Sequence, residues 1–577
     1  MAILLHSVPG DRRQRGARAR RPIRPAWVIL VAALAWPVGV VSQTPALAER
    51  AAIASAHPLA TRAGHEILEQ GGNAFDAAVA VAAVLAVVEP YSSGLGGGGF
   101  WLLHRARDGY QVMVDSREIA PRNARGELYI DSNGRPMPGA TRRGGTAVAV
   151  PGVPAALVHI SRRYGSLPLS ISLAPAIRQA REGFAIGSRF ARIAKVREDF
   201  LRSLPAASRI FLDGNEAPRP GFLLRQPRLA DTLETLAREG RDGFYRGAVA
   251  QSLLEAVNEA GGVWQPADLE HYRVIERAPL IIRYRGATIT TVTLPSAGGI
   301  ALAQALPMLE RFELSDARAP RDAHLVIELL RRAFRDRALY LGDDDVVAVP
   351  LARLLSRERA ARLASEIEPE RATRSEALGT PRPTPPPGGN TTHFSIIDGA
   401  GNRVAATLTI NLLFGSGIVA PSAGVLLNNE MDDFSLGADA PNAFGLVGGS
   451  ANAVAPGKRP LSSMTPAFVD DAKGALVIGA PGGSRIVSQV LLAIVDYVGA
   501  DRVDLAGIVS APRYHHQWWP DRVEIERDGF TRDWRADLEA RGHRLHVIGR
   551  RWGNMQAVYK ARSSGTATAA NDPRGAD

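Results

Sequence analysis

The chain has 577 residues, of which 46% are hydrophobic and 22% charged, a composition typical of a folded globular protein with a large core. Its formal net charge is +11, but seven Arg and one Asp within residues 1–48 account for six of these charges. The remaining positive residues are scattered without a sustained basic run, which argues against a nucleic-acid-binding protein. The absence of cysteine excludes disulfides, thiolate metal sites and a cysteine nucleophile.

Residues 1–48 have the pattern of a secretory signal peptide. Basic residues cluster over 12–24, and an apolar stretch follows over 26–41, interrupted by Pro37. Ala-Leu-Ala at 46–48 then matches a small-x-small cleavage site. An uncleaved segment would instead anchor the protein in a membrane, but the apolar stretch is short for a span of ~20 residues. We therefore expect export to the periplasm or secretion, removal of the segment and no stable membrane insertion.

Several segments before the middle of the chain have recognisable secondary-structure patterns. An alanine-rich stretch over 73–88 predicts a buried helix with Asn73 as its N-cap. Residues 100–104 and 111–114 flank a turn sequence and predict a β-hairpin. The long middle of the chain alternates helical stretches with short loops, and 322–340 predicts an amphipathic helix.

A proline-rich stretch over 381–389 divides the chain. It cannot form a helix or a central strand, so it predicts an exposed, extended connector. After it, 391–398 and 403–411 predict two strands joined by a turn. Two more strands within 467–478 precede a helix over 484–498. Strands flanked by helices in both halves predict a layered α/β or α+β fold.

The hairpin over 391–411 begins with a threonine. If the strands pair directly at the ends of a four-residue turn, the antiparallel register places Thr391 opposite Ile410. Thr409 and Asn411 then lie on either side of that position, so a hydroxyl and an amide would flank the Thr391 hydroxyl.

A threonine in this position can become a nucleophile if the chain is cut before it. An internal threonine hydroxyl has no base of its own and reacts weakly. Cleavage before Thr391 would free an α-amino group with a pKa of about 7.7–8.0. This amine can accept the hydroxyl proton, so an N-terminal threonine combines nucleophile and base. Two threonines at a strand start also reflect ordinary β-propensity, so the hairpin alone does not establish this chemistry.

Longer motifs accompany the hairpin along most of the chain. In the first half they are GGNAFDAAVA (71–80), EPYSSGLGGGGF (89–100), DSREIAP (115–121), AVPGVPAAL (149–157), LPSAGGI (294–300) and LYLGDDD (339–345). In the second half they are NTTHFSIIDGAGNRVAATLTIN (390–411), FGSGIVAPSAGVLLNNEMDDFS (414–435), KRPLSSMTP (458–466), APGGSR (480–485) and APRYHHQWWP (511–520).

Together these motifs closely resemble the γ-glutamyltransferases, also called γ-glutamyltranspeptidases, which belong to the N-terminal-nucleophile hydrolases. The resemblance spans about residues 52–560. It implies an α+β fold, namely a four-layer αββα sandwich that two fragments of one precursor form jointly. A large subunit would comprise 49–390, and a small catalytic subunit 391–577. The substrates implied are a small-molecule γ-glutamyl donor, such as glutathione, and an amino acid, a peptide or water as acceptor.

The resemblance also implies roles in catalysis. Thr391 would be the nucleophile both for self-cleavage, by an N-to-O acyl shift from Asn390, and for attack on the γ-glutamyl amide. Thr409 would orient the Thr391 hydroxyl by a hydrogen bond. Gly482 and Gly483, just before a predicted helix, would donate backbone N–H groups to the tetrahedral oxyanion.

The α-amino acid end of the substrate requires complementary charges. The resemblance implies that Arg117, Ser462 and Ser463 hold the α-carboxylate by charge-assisted hydrogen bonds. The residues that would hold the α-ammonium are Asn411, Glu430 and Asp433.

Two other patterns do not predict binding sites. Residues 94–99 satisfy G-x-G-x-x-G, but they follow a helix and precede a strand, the reverse of the dinucleotide-binding context. We interpret them as tight backbone packing near the active site. His515 and His516 lack a third ligand at useful spacing, so we interpret them as core or interface residues. No metal and no organic cofactor is expected.

The sequence departs from the family pattern in a loop over 441–458, which corresponds to a lid over the glutamyl pocket. Relatives often have a tyrosine at its tip, whereas this chain has Phe444. Phenylalanine can cover the pocket but cannot donate a hydrogen bond to the opposite wall. We therefore expect a lid that opens more readily.

Three alternatives to a glutathione-type γ-glutamyl enzyme remain. An acylase for glutaryl β-lactam side chains has less need of ligands for an α-ammonium, and all three are present here. A relative acting on poly-γ-glutamate would suit an open groove, and the lid argues against it. An unprocessed, catalytically silent binding protein would have no need of the junction at Asn390 and Thr391.

Overall fold

The computed structural model describes residues 50–379, 391–436 and 441–575. The predicted signal peptide (1–48), the predicted connector (381–389) and the cleavage residue Asn390 lie outside the described residues. All described residues belong to one compact unit, Pro45–Asp577. Among the described residues, no helix has both the length and the apolar character needed to cross a membrane.

Strands and helices occur in both halves of the chain. The strands are β1 (Ala52–Ser55), β2 (Gly98–Arg105), β3 (Tyr110–Asp115), β4 (Phe184–Ala185), β5 (Leu223–Leu224), β6 (Ile275–Arg277), β7 (Leu280–Tyr284), β8 (Ala287–Thr291), β9 (Thr392–Ile397), β10 (Arg403–Thr409), β11 (Val419–Ala420), β12 (Val425–Leu426), β13 (Ala467–Asp470), β14 (Gly474–Gly479), β15 (Tyr514–His515), β16 (Val523–Glu526), β17 (Leu545–Ile548), β18 (Gln556–Ala561) and β19 (Ala567–Asn571). The helices are α1 (Pro58–Glu69), α2 (Ala74–Val88), α3 (Val153–Tyr164), α4 (Leu169–Glu182), α5 (Ser188–Val196), α6 (Glu198–Arg202), α7 (Pro205–Phe211), α8 (Pro227–Glu239), α9 (Asp242–Tyr245), α10 (Gly247–Glu259), α11 (Pro266–Glu270), α12 (Ala297–Leu309), α13 (Pro320–Tyr340), α14 (Leu351–Leu354), α15 (Arg357–Ser365), α16 (Arg485–Gly499), α17 (Leu505–Ser510) and α18 (Arg532–Ala540).

Two six-stranded antiparallel sheets form the centre of the unit. The first has the order β1-β9-β10-β2-β3-β6, and the second β19-β18-β14-β13-β8-β7. Side chains of both sheets meet in one apolar cluster, which includes Leu102 and Ala405 from the first and Phe468 and Val477 from the second. The two sheets therefore pack face to face.

Helices cover the outer face of each sheet. The first sheet shares a core with α1, α2 and α3, and the second shares one with α12, α13 and α16. These layers form the αββα sandwich that the resemblance implied.

The helix predicted over 73–88 is confirmed as α2, and its start follows from local chemistry. The Asn73 side chain accepts from the amides of Phe75 (2.8 Å) and Asp76 (3.1 Å), and Asp76 accepts from the Asn73 amide (3.0 Å). This reciprocal capping box satisfies amides that the first helical turn leaves free. The hairpin predicted around 100–114 is also confirmed, as β2 and β3.

Helix α13 confirms the prediction of a helix over 322–340, but its polar side is not exposed. Buried residues lie on every face of it, and it packs against α12 and α18. Glu328 pairs there with Arg331 (3.1 Å) and Arg332 (2.6 Å), and all three are almost completely buried. The amphipathic pattern therefore marks an internal ion-pair cluster instead of a solvated face.

The predicted register of the β9–β10 hairpin is wrong by one residue. The Asp398 amide donates to the Asn402 carbonyl (3.0 Å), so the turn has three residues instead of four. Gly401 adopts a positive φ of 92°, the left-handed residue that closes such a three-residue loop. Thr392 pairs with Leu408, and the same register continues to set Thr391 opposite Thr409, not Ile410. Directly opposed residues share a sheet face, so the two hydroxyls point the same way.

The glycines at 94–99 are confirmed as a place of tight backbone packing. A Cβ on Gly97 would lie 2.0 Å from the carbonyl oxygen of Thr409, and one on Gly96 would lie 2.0 Å from that of Leu426. Only glycine permits this approach, which brings the start of β2 against the end of β10.

Candidate active site

The residues predicted for the site converge on one pocket, of about 300 Å³ including its open mouth. They come from loops and strand ends that are distant in sequence, and the two opposed threonines lie in its wall. The predicted residues that line it are Arg117, Thr391, Thr409, Asn411, Glu430, Asp433, Ser462, Ser463 and Gly483. Of the predicted site residues that the structure describes, only Gly482 is outside the lining, and it is adjacent to Gly483.

Thr391 precedes β9, and Thr409 is the last residue of β10. Both side chains are 4% exposed, so a reaction at Thr391 would be shielded from bulk water. The Thr409 hydroxyl accepts a hydrogen bond from the Asn411 amide (2.8 Å). Asn411 adopts a positive φ of 71°, which turns the chain immediately after the strand.

Gly482 and Gly483 lie directly before α16, where backbone amides are free to bind an anion. Their φ values are +135° and +60°, a conformation that favours glycine. Among the described residues, neither amide donates a hydrogen bond to the protein. Gly483 lines the pocket, and its amide has no acceptor among the described residues.

Arg117 lies at the centre of a buried charge cluster. Its Nη2 donates to Asp433 (2.5 Å), its Nη1 to Glu430, and its Nε to the Pro460 carbonyl (3.1 Å). Glu118 lies 3.6 Å from the same guanidinium. The predicted ligand for a carboxylate is thus in direct contact with two predicted ligands for an ammonium.

The protonation of this cluster is set by burial. Burial raises the pKa of Glu430 well above its ordinary value, although Arg117 opposes the shift. Burial likewise raises the pKa of Glu118 to about 7. Burial alone would lower the pKa of Arg117, but the neighbouring carboxylates hold it above its ordinary value. The guanidinium therefore stays charged, while the two glutamates take up protons more readily than usual.

Four buried polar atoms of the pocket lack partners among the described residues, and two of them, Glu430 Oε2 and Arg337 Nε, belong to charged side chains. The two on neutral side chains are the carbonyl oxygen Oδ1 of Asn411 and the hydroxyl Oγ of Ser463. An unpaired buried polar atom costs free energy unless a ligand or water satisfies it. An acceptor on the ammonium side and a donor on the carboxylate side fit the two ends of an α-amino acid.

Sequence reasoning missed two charged residues of the site. Arg337, in the last turn of α13, lines the pocket, is 4% exposed, and has a buried Nε with no partner among the described residues. Burial lowers its pKa to about 10, and the Asp433 charge opposes that shift. Glu118 is fully buried beside Arg117. Its position within the motif DSREIAP was available as a signal, whereas nothing local marked Arg337 as buried.

The lid loop closes the pocket through Phe444. Its ring lies so near Gly483 that a Cβ there would be 2.0 Å from Phe444 Cδ1. Gln517 donates to the Phe444 carbonyl (3.1 Å), and the Asn442 side chain accepts from the Phe444 amide (3.0 Å) and donates to Asp433 (3.0 Å). The lid is therefore tied to the same acid that pairs with Arg117.

The buried histidines His324, His543, His515 and His516 each contact another side chain of the protein. His324 Nδ1 lies 2.8 Å from His543 Nε2, but the nearby Glu328 is neutralised by two arginines. His515 and His516 are buried and hydrogen-bonded, His515 to Ser488 (3.0 Å). Asp521 contacts His516 at 3.2 Å.

The fold and the pocket define an enzyme of the N-terminal-nucleophile hydrolase type. The family model for γ-glutamyltranspeptidase matches residues 60–577. The chain belongs to the γ-glutamyltranspeptidase family.

Two relatives that match over most of their length are named glutathione hydrolase proenzyme. The chain is 38% identical to the glutathione hydrolase proenzyme of Escherichia coli (strain K12) over 537 residues, which covers 92% of each chain. It is 40% identical to the glutathione hydrolase proenzyme of Pseudomonas aeruginosa over 536 residues, which covers 91% of this chain and 93% of the other.

Solved structures also match. The crystal structure of cephalosporin acylase from Bacillus halodurans superimposes with a TM-score of 0.79 at 28% identity, covering 95% of this chain and 98% of that one. Helicobacter pylori γ-glutamyltranspeptidase superimposes with a TM-score of 0.54 at 36% identity, covering 56% of this chain and 92% of that one.

Proposed function

We propose that the protein is an exported γ-glutamyl hydrolase and transferase that acts on glutathione and related compounds through an ester on Thr391. Its precursor is cleaved between Asn390 and Thr391 into a large subunit, 49–390, and a small subunit, 391–577. The observation that carries the proposal is the set of residues that line the pocket around Thr391. It holds a strand-start threonine, a second hydroxyl opposite it, and cationic and anionic ligands for an α-amino acid.

Self-cleavage begins when the Thr391 hydroxyl adds to the Asn390 carbonyl. The peptide C–N bond breaks, the acyl group moves to the hydroxyl oxygen, and the Thr391 nitrogen becomes an amine. Water then hydrolyses the ester, which leaves the Asn390 carboxylate and a free Thr391 hydroxyl. The new amine, with a pKa of about 7.7–8.0, is the base that an internal threonine lacks.

In each turnover the Thr391 hydroxyl attacks the γ-carbonyl of the donor while its proton passes to the α-amine. The Gly483 amide stabilises the oxyanion, and the proton then passes to the departing amine. Water or an acceptor amine attacks the remaining γ-glutamyl ester and restores the enzyme. Thr409, opposite Thr391, orients the hydroxyl throughout.

The second candidate is a glutaryl acylase, favoured by the likeness to cephalosporin acylase. A glutaryl group has no α-ammonium to occupy the side of the pocket formed by Asn411, Glu430 and Asp433. With a glutaryl group bound, Arg117 would have to balance Glu430, Asp433 and the substrate carboxylate together, so the pocket suits a glutamyl group better.

The deciding experiment is the intact mass of the purified protein under denaturing conditions. We expect two fragments that match 49–390 and 391–577, and one uncleaved chain for Thr391→Ala. The cleaved protein should then hydrolyse glutathione faster than a glutaryl amide with the same leaving amine. A parent protein that stays uncleaved after long incubation would refute the proposal, and faster glutaryl turnover would assign the acylase activity.

A further inference from the structure

A second cavity, of about 840 Å³ including its open mouth, shares a wall with the Thr391 pocket. Leu412 and Asn429 line it, and they are the chain neighbours of Asn411 and Glu430, which line the Thr391 pocket. Consecutive Cα atoms are about 3.8 Å apart, so two short segments separate the cavities.

The shared wall is held by side-chain hydrogen bonds. Asn429 Oδ1 accepts from the Leu412 amide (3.1 Å), and the Asn429 carbonyl accepts from Asn411 Nδ2 (2.8 Å). Asn429 Nδ2 in turn donates to the Arg142 carbonyl (3.0 Å). The cavity is therefore fixed relative to the residues that would hold the donor.

Three arginines, Arg142, Arg143 and Arg197, also line this cavity, together with Pro138 and Gly139, and we call it the arginine pocket. The Arg142 guanidinium is paired with Asp432 at 3.3 Å. Neither Arg143 nor Arg197 is paired with a carboxylate in the described part of the chain.

Both unpaired guanidiniums lie against the ring of Phe200, at 5.9 Å for Arg143 and 3.9 Å for Arg197. The Arg197 Nε is buried and has no partner among the described residues. Burial and the nearby Arg143 charge lower the pKa of Arg197 to about 10. Two cations held together without an anion form a site for an anionic ligand, and guanidinium groups bind carboxylates in a bidentate manner.

We propose that the arginine pocket binds the carboxylate of the amine partner, either the amino acid or peptide leaving the donor or the acceptor that replaces it. The inference rests on the proposed function. It adds a substrate preference, namely that the enzyme favours γ-glutamyl peptides over neutral γ-glutamyl amides. The leaving group of glutathione is a dipeptide, whose carboxylate lies at most about 7 Å of extended chain from the scissile amide. The arginine pocket begins one residue along the chain from Asn411 and Glu430, and this adjacency supports a partner of that length.

The test compares matched donors that differ only in this charge, γ-glutamylglycine and γ-glutamylglycinamide. For the processed parent enzyme we expect a higher kcat/KM with the free carboxylate. In the double variant Arg143→Gln/Arg197→Gln, kcat/KM for γ-glutamylglycine should fall at least about tenfold, and that for the amide should stay unchanged. The charge-matched control is Arg192→Gln/Arg209→Gln, since both residues are exposed and lie outside the pocket.

An acceptor arm distinguishes the two sources of the carboxylate. With a neutral γ-glutamyl anilide as donor, glycylglycine and glycylglycinamide are compared as acceptors. Loss of the carboxylate preference in the donor arm assigns the pocket to the leaving group, and loss in the acceptor arm assigns it to the acceptor. Unchanged preference in both arms, or an equal fall for charged and neutral compounds, would overturn the inference. A parent enzyme that turns over neither donor would instead refute the proposed function.

Discussion

Arg117 and Asp433 form a 2.5 Å ion pair inside the pocket that contains Thr391. The two side chains are 1% and 11% exposed, so little water screens their charges. A substrate with both an α-carboxylate and an α-ammonium can insert its charges next to these two partners. If the substrate has only the carboxylate, it brings no ammonium to neutralise Asp433, and Arg117 alone balances that charge.

Asp433→Asn should therefore discriminate between glutamyl and glutaryl compounds. Loss of a hydrogen bond to a charged group costs about 1.5–3 kcal/mol, so KM for a γ-glutamyl amide should rise about 10- to 100-fold. KM for the glutaryl amide with the same leaving group should change little. Steady-state kinetics on both compounds check this, with the extent of self-cleavage as the folding control. Equal changes for both would show that Asp433 does not bind the ammonium.

Thr409 should affect the reaction through its hydroxyl. Thr409→Val removes the group opposite Thr391, and we expect kcat to fall about 100-fold, as for other lost polar contacts to a reacting group. Thr409→Ser keeps the hydroxyl and should retain most of the activity. Pre-steady-state measurement of the γ-glutamyl ester should place the defect in the acylation step. Similar activities for the serine and valine variants would rule out this role.

Arg337 should contribute to substrate binding and not to the chemical step. Its buried guanidinium balances the carboxylates of the pocket, so Arg337→Met should raise KM for γ-glutamyl donors about tenfold. We expect kcat to change by less than about threefold. Arg335→Gln is the matched control, because Arg335 pairs with Asp336 outside the pocket and should leave KM unaltered. A fall in kcat at constant KM would contradict this assignment.

Glu118 should make stability depend on pH in an unusual direction. Burial raises its pKa from 4.5 to about 7, so the folded protein retains a proton that the unfolded chain releases between these values. This stabilisation is complete below about pH 4.5 and is lost as the pH rises through about 7. Glu118→Gln cannot release the proton, so its Tm relative to the parent should increase across this window. Glu127→Gln, at an exposed position, is the control and should show a constant difference. A constant difference for Glu118→Gln would show that this carboxyl does not titrate there.

The lid should control the fate of the ester. Phe444 packs on Gly483 but has no hydroxyl to hold the loop closed. Phe444→Tyr should slow lid opening and raise the ratio of transfer to hydrolysis, because water would reach the ester less readily. Phe444→Leu covers the pocket without a hydroxyl and should keep the parent ratio. Product analysis at fixed acceptor concentration measures both, and identical ratios and lid dynamics in Phe444→Tyr and the parent would remove this idea.

Local patterns predicted much of the fold because the relevant interactions are themselves local. Asn73 and Asp76 cap α2 through contacts within four residues, so the start of that helix is readable from sequence. The register of the β9–β10 hairpin was not, because it depends on whether Gly401 adopts a left-handed conformation. A one-residue difference in the turn moved Ile410 away from Thr391 and brought Thr409 opposite it.

The site was predicted where motifs named its residues, and missed where only tertiary packing creates it. Arg337 belongs to a helix whose charged residues suggested a solvated side. Arg337 is buried because α13 is covered on all faces. The hydrophobic periodicity of a single helix gives no information about such covering. The contact of Arg117 with Glu430 and Asp433 likewise joins positions more than 300 residues apart.

Both central sheets combine strands from either side of the junction between 390 and 391. In the first sheet, β9 and β10 lie between β1 and β2, and in the second, β13 pairs with β8. The pocket around Thr391 therefore exists only after both halves of one polypeptide have assembled. Under the proposed mechanism, scission is then the last event of maturation, and a misfolded molecule never acquires its catalytic amine. Self-cleavage therefore restricts catalytic activity to molecules that have assembled correctly.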